Sequence, residues 1–459
     1  MNDPLTVIRD LVPQNERRIN PMPMQQTNNL SKESIFLQGL KNAFGGKHAD
    51  NELGWSEIAE QSKQLIDKAV THDSINDRTV GALVGLTIGD AAGAPLEFLP
   101  ARNSQEDKDE PCLLRNLNPE TGELQYQKPF NKFKLLNGQW TDDSSMAFCL
   151  ADSLLARGGF DGGDCRVRWY DWWNFGYNNA FRYDARPDRT SVGLGNNVAM
   201  SLDAVSEYTH QLASAVPDRY LAEGDDSGNG SIMRLAPVPI RFHRDLKRTM
   251  QIAEAQSYAT HPGTDAAACC MMMAFLMTKA IQRPSDDCRN LGEFISEQTN
   301  AFLQTHALPM ASAGNRGMTK MVSLLKSTPP SNTEAVWAWR GPHPFINETL
   351  SARGESYNGH FVTPVYFGSY SMDGIAMALW ALHNSENFAD CIYRVVNLLG
   401  DADTTGAIAG QIAGAFYGYQ AISSDPLSAR MLKNLNRWDR LHEIPLRALL
   451  LNRDGARNE

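Results

Sequence analysis

Glycine recurs at every fourth position in two stretches at opposite ends of the chain. Gly81, Gly85, Gly89 and Gly93 stripe a segment rich in alanine and aliphatic residues, and Gly406, Gly410, Gly414 and Gly418 stripe another. A four-residue spacing places such positions on one face of a helix. Each glycine inside a helix costs about 1 kcal/mol relative to alanine, so the pattern requires a compensating contact. A row without side chains is a groove that a second helix can approach closely. Two complementary grooves predict that these helices pack against each other at the centre of the fold. Whatever flanks them is then brought together as well.

Two acidic clusters accompany the stripes. Trp140-Thr141-Asp142-Asp143-Ser144 precedes one apolar helical run, and Gly400-Asp401-Ala402-Asp403-Thr404-Thr405 precedes the second glycine stripe. Asp, Ser and Thr are preferred N-cap residues, and helix starts favour negative charge, so either cluster alone reads as a cap. Capping needs one acceptor, however, whereas each cluster offers two carboxylates plus hydroxyls. Like charges at that density are costly unless something positive lies between them. Hard oxygen donors of this kind suit Mg2+, Mn2+ or Ca2+ rather than zinc.

At 459 residues the chain is long enough for a large core and for more than one domain. Its net charge of -10 argues against a general nucleic-acid surface. Seven scattered cysteines without a CxxC pair suit a reducing compartment better than a disulfide framework or a zinc site. The start carries no apolar signal core, and no segment reads as a bilayer span, so a cytoplasmic location is expected.

Residues 1–76 are polar and read as an N-terminal extension, with helical patterning around Glu33 to Phe44 and Trp55 to Val70. The main domain follows over 77–459. Further helices are expected over Ser145–Ala156, Met250–Tyr258, Asp265–Ile281, Leu291–Leu303, Asp373–His383 and Asp390–Leu399, with little strand-like alternation. The stretches 100–138 and 157–190 mix charge, Gly and Pro and read as surface insertions, the second aromatic enough for a flap or docking surface. The fold class is all-α.

Several patches between the clusters carry chemistry. Gly228-Asn229-Gly230-Ser231-Ile232-Met233-Arg234 is a glycine-rich loop whose backbone N–H groups suit phosphate, with Arg234 either adding charge or serving a structural ion pair. His261, in Thr-His-Pro, reads as a helix-end residue or as a hydrogen-bond donor to a ligand. Tyr370, at a loop-to-helix junction, suits stacking on a base or packing in the core. Glu97 lies just past the first glycine stripe, where it is either a surface charge or a group held to handle a proton.

Taken in order, Gly-Ala-Leu-Val-Gly-Leu-Thr-Ile-Gly-Asp, Thr-Asp-Asp-Ser, Gly-Asn-Gly-Ser-Ile-Met-Arg, Thr-His-Pro and Gly-Asp-Ala-Asp-Thr-Thr-Gly-Ala resemble the ADP-ribosylglycohydrolase family over about residues 78 to 450. The resemblance implies a compact orthogonal multi-helix fold with a dinuclear metal site in a central cleft. It implies that Thr141, Asp142, Asp143, Asp401, Asp403 and Thr404 bind two Mg2+ ions, with Mn2+ as the alternative. It implies that Gly228, Asn229, Gly230, Ser231 and Met233 line the ADP-ribose phosphates and ribose, that His261 contacts the ligand, and that Tyr370 stands on the adenine side. Glu97 resembles the acidic residue near the substrate ribose. Ser144 stands where many relatives carry Thr, which keeps the hydroxyl. The N-terminal extension and the 100–138 stretch depart from the family pattern and leave substrate choice open.

The activity so implied is hydrolysis of the bond between the distal ribose and an acceptor on a modified protein, arginine being favoured over serine or nucleic acid. Asp143 or Asp403 is expected to take a proton from water, and Glu97 to protonate or position the sugar. Such enzymes reverse mono-ADP-ribosylation, including that by an ADP-ribosyltransferase toxin, which makes an immunity role one expectation. A reading of another class makes the chain a neutralising partner that blocks such a transferase through residues 1–76, with hydrolysis secondary. No membrane partner is expected.

Overall fold

The computed structural model describes Leu40 and residues 52–103, 131–208 and 215–457. Helices dominate these residues, and the named strands among them are the short antiparallel pair Ser356–Tyr357 and His360–Phe361. The all-α expectation holds. The expected helical pattern over Glu33 to Phe44, apart from Leu40, and the 104–130 part of the expected insertion lie outside the described residues.

The two glycine-striped helices, Ile75–Gly93 and Ala402–Tyr417, form the centre. Side chains from Asp77 to Gly93 and from Ala402 to Phe416 are buried throughout. A Cβ added at Gly85 would collide with the carbonyl oxygen of Gly410, one at Gly89 with that of Gly406, and one at Gly81 with that of Gly414. The reverse substitutions collide as reciprocally, so the backbones themselves are in contact. This matching order makes the pair antiparallel. The end of the first helix, at Gly93, therefore meets the start of the second, at Ala402.

Other helices cover the pair. Glu443–Arg457 lies along the first, while Phe388–Val396, Ser371–Asn384 and Thr264–Ile281 lie along the second. Two segments, Ile75–Leu96 and Thr264–Ile281, are long and apolar enough to cross a bilayer, contrary to the sequence reading. Their apolar windows are 100% and 89% buried inside the fold, so the protein core already accounts for their composition.

The stretch 157–190 is also corrected. It contains a helix, Gly162–Phe175, started by the Asp161 side chain and ended at left-handed Gly176, with Trp169 and Trp172 fully buried. Its charges are satisfied internally, which hid its burial. Arg168 pairs with Asp164 at 2.7 Å, and Arg166 donates to the carbonyls of Pro217 and Ser201. Toward the N-terminus, the helix Glu52–Ala69 buries Ile58, Leu65 and Ile66.

Candidate active site

Among the described residues, seven α-helices begin in the ordinary way, with the side chain of Ser74, Asp161, Asp245, Asn290, Asn315, Asn387 or Asp425 accepting a backbone N–H of the first turn. The helices Asp142–Arg157 and Ala402–Tyr417 begin differently. Thr141 and Asp401 occupy the cap position and make no side-chain cap bond. At the first of these, capping is performed by Asp90 from the central helix. Its carboxylate accepts from the backbone N–H of Thr141 and Ser144, both at 3.0 Å, and from their hydroxyls at 2.8 and 2.6 Å. Asp142 and Asp143 are thereby released from capping and are free for other work.

The antiparallel central pair brings the two starts together. One oxygen each of Asp142, Asp143 and Asp403 lie within 4.8 Å of one another, and so do oxygens of Glu97, Asp401 and Asp403. The Thr141 hydroxyl lies 3.1 Å from Asp143 Oδ2 and 3.4 Å from Asp403 Oδ2. Asn229 Nδ2 donates to Asp401 Oδ2 at 2.8 Å, tying the glycine-rich loop to the second cluster. Glu97 is delivered by the turn Ala94–Leu96, and Phe98 N–H donates to Gly400 O at 3.0 Å, so that both helix ends are stitched.

Burial and then neighbouring carboxylates push Glu97, Asp142, Asp143 and Asp403 well above the usual carboxylate range. Burial also raises Asp401, against the opposing hydrogen bond from Asn229. Asp143 Oδ1 and Glu97 Oε2 are buried without a hydrogen-bond partner among the described residues. Unpartnered anionic oxygens at this density fit a bound hard cation, because a cation satisfies them and offsets their repulsion. The two groups share Asp403.

These carboxylates form the floor of a cleft of about 680 Å3, a size suited to a small-molecule ligand. Glu97, Asp142, Asp401, Asp403 and Thr404 line it, whereas Thr141 and Asp143 sit behind them. One wall is the glycine-rich loop, with Gly228, Asn229, Gly230 and Met233 facing the cleft. This loop is pinned to the segment before Ser371–Asn384. Asn229 N–H donates to Ser369 O at 2.9 Å, and Ser371 N–H to Ser227 O at 3.0 Å. His261 and Tyr370 also line the cleft. Tyr370 donates its hydroxyl to Asp265 at 2.7 Å and receives Lys320 at 3.2 Å, which leaves its ring as part of the wall.

Two expectations for the loop are corrected. Ser231 is fully buried and turned away from the cleft, its hydroxyl 2.8 Å from that of Ser257. The short turn Asn229–Ser231 rotates successive side chains off the ligand face, so this serine anchors the loop from behind. Arg234 offers no charge at the cleft surface either and has no carboxylate partner among the described residues. It is buried over Trp169, 3.8 Å from the ring centroid, and donates to Gln256 and Thr260.

Several contributors were not read from the sequence. Asp90 is the main one, and its signal was an acid inside an otherwise apolar helix, which must find donors when buried. Gly193, with φ of 94°, approaches so closely that a Cβ there would collide with the Asp142 carboxylate. The Tyr366 hydroxyl reaches Glu97 Oε1 at 3.5 Å from a loop with no periodic signal. Arg353, forked onto Asp373, also lines the cleft.

Comparison with known proteins agrees with this geometry. A family model described as ADP-ribosylglycohydrolase matches residues 71–458. The chain is 30% identical to an ADP-ribosylarginine hydrolase Tri1 of Serratia proteamaculans (strain 568), over 75% of this chain and 73% of that protein. It is 27% identical to the ADP-ribosyl-[dinitrogen reductase] glycohydrolase of Rhodospirillum rubrum, over 79% of this chain and 94% of that one. A solved structure, an ADP-ribosylglycohydrolase-related protein complex, superposes with a TM-score of 0.54 at 25% identity, covering 83% of this chain and 99% of that one.

Proposed function

The chain belongs to the ADP-ribosylglycohydrolase family and is a glycohydrolase enzyme, and from that premise we propose that it releases ADP-ribose from a modified arginine side chain of a protein. The observation that carries this reading is the convergence of Asp142, Asp143, Asp401 and Asp403 beneath a glycine-rich wall. Arginine is favoured because relatives named ADP-ribosylarginine hydrolase are similar over three quarters or more of the chain. A reducing, cytoplasmic setting suits the free cysteines Cys149, Cys165, Cys269, Cys270, Cys288 and Cys391.

Thr141, Asp142, Asp143, Asp401, Asp403 and Thr404 would hold two Mg2+ ions, or Mn2+ in their place. Bound there, the ions would supply positive charge that orients the distal ribose and makes a water easier to deprotonate. The remaining work falls to the protein. The backbone of Gly228 to Gly230 and the His261 ring hold the remote diphosphate, so that binding energy far from the reacting bond fixes the anomeric carbon. Water oxygen bonds to that carbon as the bond to the guanidine nitrogen breaks. Of the two expected acceptors of the water's proton, Asp403 lines the cleft while Asp143 sits behind it, so Asp403 takes the proton, and Glu97 passes a proton to the departing guanidine or steadies the sugar. The raised affinity of Glu97 for protons, caused by its burial, suits the donor part of that exchange.

The test is an assay on arginine-, serine- and nucleic-acid-linked ADP-ribose, with free ADP-ribose quantified before and after EDTA. The arginine conjugate should be cleaved, and chelation should abolish cleavage until Mg2+ or Mn2+ is restored. Release from none of the three conjugates, or unchanged release in EDTA, would sink this reading.

A further inference from the structure

His261 is fixed by a chain of buried groups that begins at Arg234, well away from the cleft surface. Arg234 Nη2 donates to Thr260 Oγ1 at 2.7 Å, and Thr260 Oγ1 lies 2.8 Å from His261 Nδ1. Arg234, Thr260 and His261 are all nearly inaccessible to solvent. A guanidinium only donates, so the Thr260 oxygen must accept from it. Thr260 Oγ1 has these two partners among the described residues, and its single hydrogen must be satisfied where no water reaches. That hydrogen goes to Nδ1, which makes Nδ1 the acceptor and leaves the ring hydrogen on Nε2.

The Nε2 edge is the one that faces the glycine loop. A Cβ built on Gly230 would lie 3.2 Å from Nε2, and one built on Gly228 would lie 3.5 Å from it. His261 Nε2 therefore points to where a ligand on this loop would rest. The ring is also kept neutral. Burial, and next the charge of Arg234, pull its pKa down to about 3. Arg234 itself is held by groups that carry no charge: Gln256 at 3.2 Å, Thr260, and the Trp169 face. A buried cation without a carboxylate is an expensive arrangement. Packing alone does not call for an arginine there, but holding the threonine hydroxyl in one orientation does.

We infer that Arg234 and Thr260 are positioning residues that set the tautomer of His261, so that it presents a neutral Nε2–H donor to an oxygen of the ligand diphosphate. The ligand in this inference rests on the ADP-ribose reading, whereas the tautomer does not. A neutral donor gives direction without charge, and its hydrogen bond is the same at pH 6 as at pH 8. An imidazolium would instead bind the anion more tightly in acid and loosen as pH rises.

Protein carrying ring-15N histidine, compared with a His261→Gln variant to assign the signal, reads the tautomer directly by long-range proton–nitrogen correlation. Wild-type protein should show Nε2 protonated and Nδ1 unprotonated across pH 6 to 8. Thr260→Val should mix the tautomers and weaken ADP-ribose binding about tenfold, roughly 1.4 kcal/mol, by calorimetry, and Thr260→Ser should restore both. Protonated Nδ1 in the wild type, or a Thr260→Val protein with unchanged tautomer and affinity, would overturn the inference. Should Thr260→Val fail to fold, the wild-type spectrum still decides. Failure of wild-type protein to bind ADP-ribose would count against the proposed function and leave the tautomer measurement standing.

Discussion

Two kinds of helix start coexist in this molecule. At Asn290 the side chain accepts from Glu293 N–H while the Glu293 carboxylate accepts from Asn290 N–H, so every acidic group serves the local backbone. At Asp142 and at Ala402 more acidic groups are present, yet Thr141 and Asp401 provide no side-chain cap. At Asp142 the cap comes from Asp90, on a different helix. At both starts the carboxylates repel one another, and the local backbone bond from Thr404 N–H to Asp403 Oδ1 at 2.9 Å does not relieve that crowding. The same residue types thus build stability at one place and store instability at the other. Stored instability of this kind is what a cation-dependent site requires.

The largest effect should come from separating the two unusual starts. A Cβ at Gly89 meets the Gly406 carbonyl, and a backbone atom in a central helix cannot move aside. Gly89→Val should therefore lose more than about 3 kcal/mol in denaturant unfolding, and activity with it. Gly159, with nothing within 4 Å of an added Cβ, supplies the control, and Gly159→Ala should unfold like the parent. If Gly89→Val were as stable as Gly159→Ala, the central pair would not be what joins the clusters.

That pairing was the most legible part of the fold, because a four-residue glycine period encodes backbone contact directly. The acidic clusters were legible for a similar reason, since their composition exceeds what a cap can use. Other features were hidden because their cause lies far away in sequence. The inward turn of Ser231 is decided by its meeting with Ser257, and the burial of Gly162–Phe175 by partners around Pro217. Asp90 was in plain view in the glycine stripe. Its role emerges only when Thr141 and Ser144 are placed against it by the fold.

A second test separates the two kinds of start by chemistry. Asp403→Asn removes the carboxylate shared by both groups, and hydrolysis should fall by roughly 10^3-fold or more. Stability of the metal-free protein should move the other way. Asp403 takes up protons more readily in the folded state than in the unfolded one, because burial and then Asp401 and Asp90 raise it. The folded state therefore binds more protons between the ordinary carboxylate range and that raised value, and wild-type stability is lost as pH rises through this window. Melting of the metal-free wild type should fall relative to Asp403→Asn between pH 5 and pH 8, and adding Mg2+ should raise only the wild type. A wild type that gained on the variant with rising pH would mean that the carboxylates are locally satisfied after all.

The smallest effect should come from the ordinary start, and its smallness completes the contrast. Asn290→Ala leaves Glu293 N–H without its acceptor and breaks the reciprocal box, but the helix Leu291–Phe302 keeps its buried Leu291, Phe294 and Ile295. Solvent can reach this exposed helix end and replace part of what is lost. The expected cost is about 1 kcal/mol in denaturant unfolding, with turnover and Mg2+ dependence unchanged, because nothing at this start touches the cleft. The two substitutions thus run in opposite directions on the two observables: Asn290→Ala lowers stability and spares activity, while Asp403→Asn removes activity and spares or raises metal-free stability. A cap variant that also lost activity would show that the two kinds of helix start are coupled, and the division of labour between them would have to be abandoned.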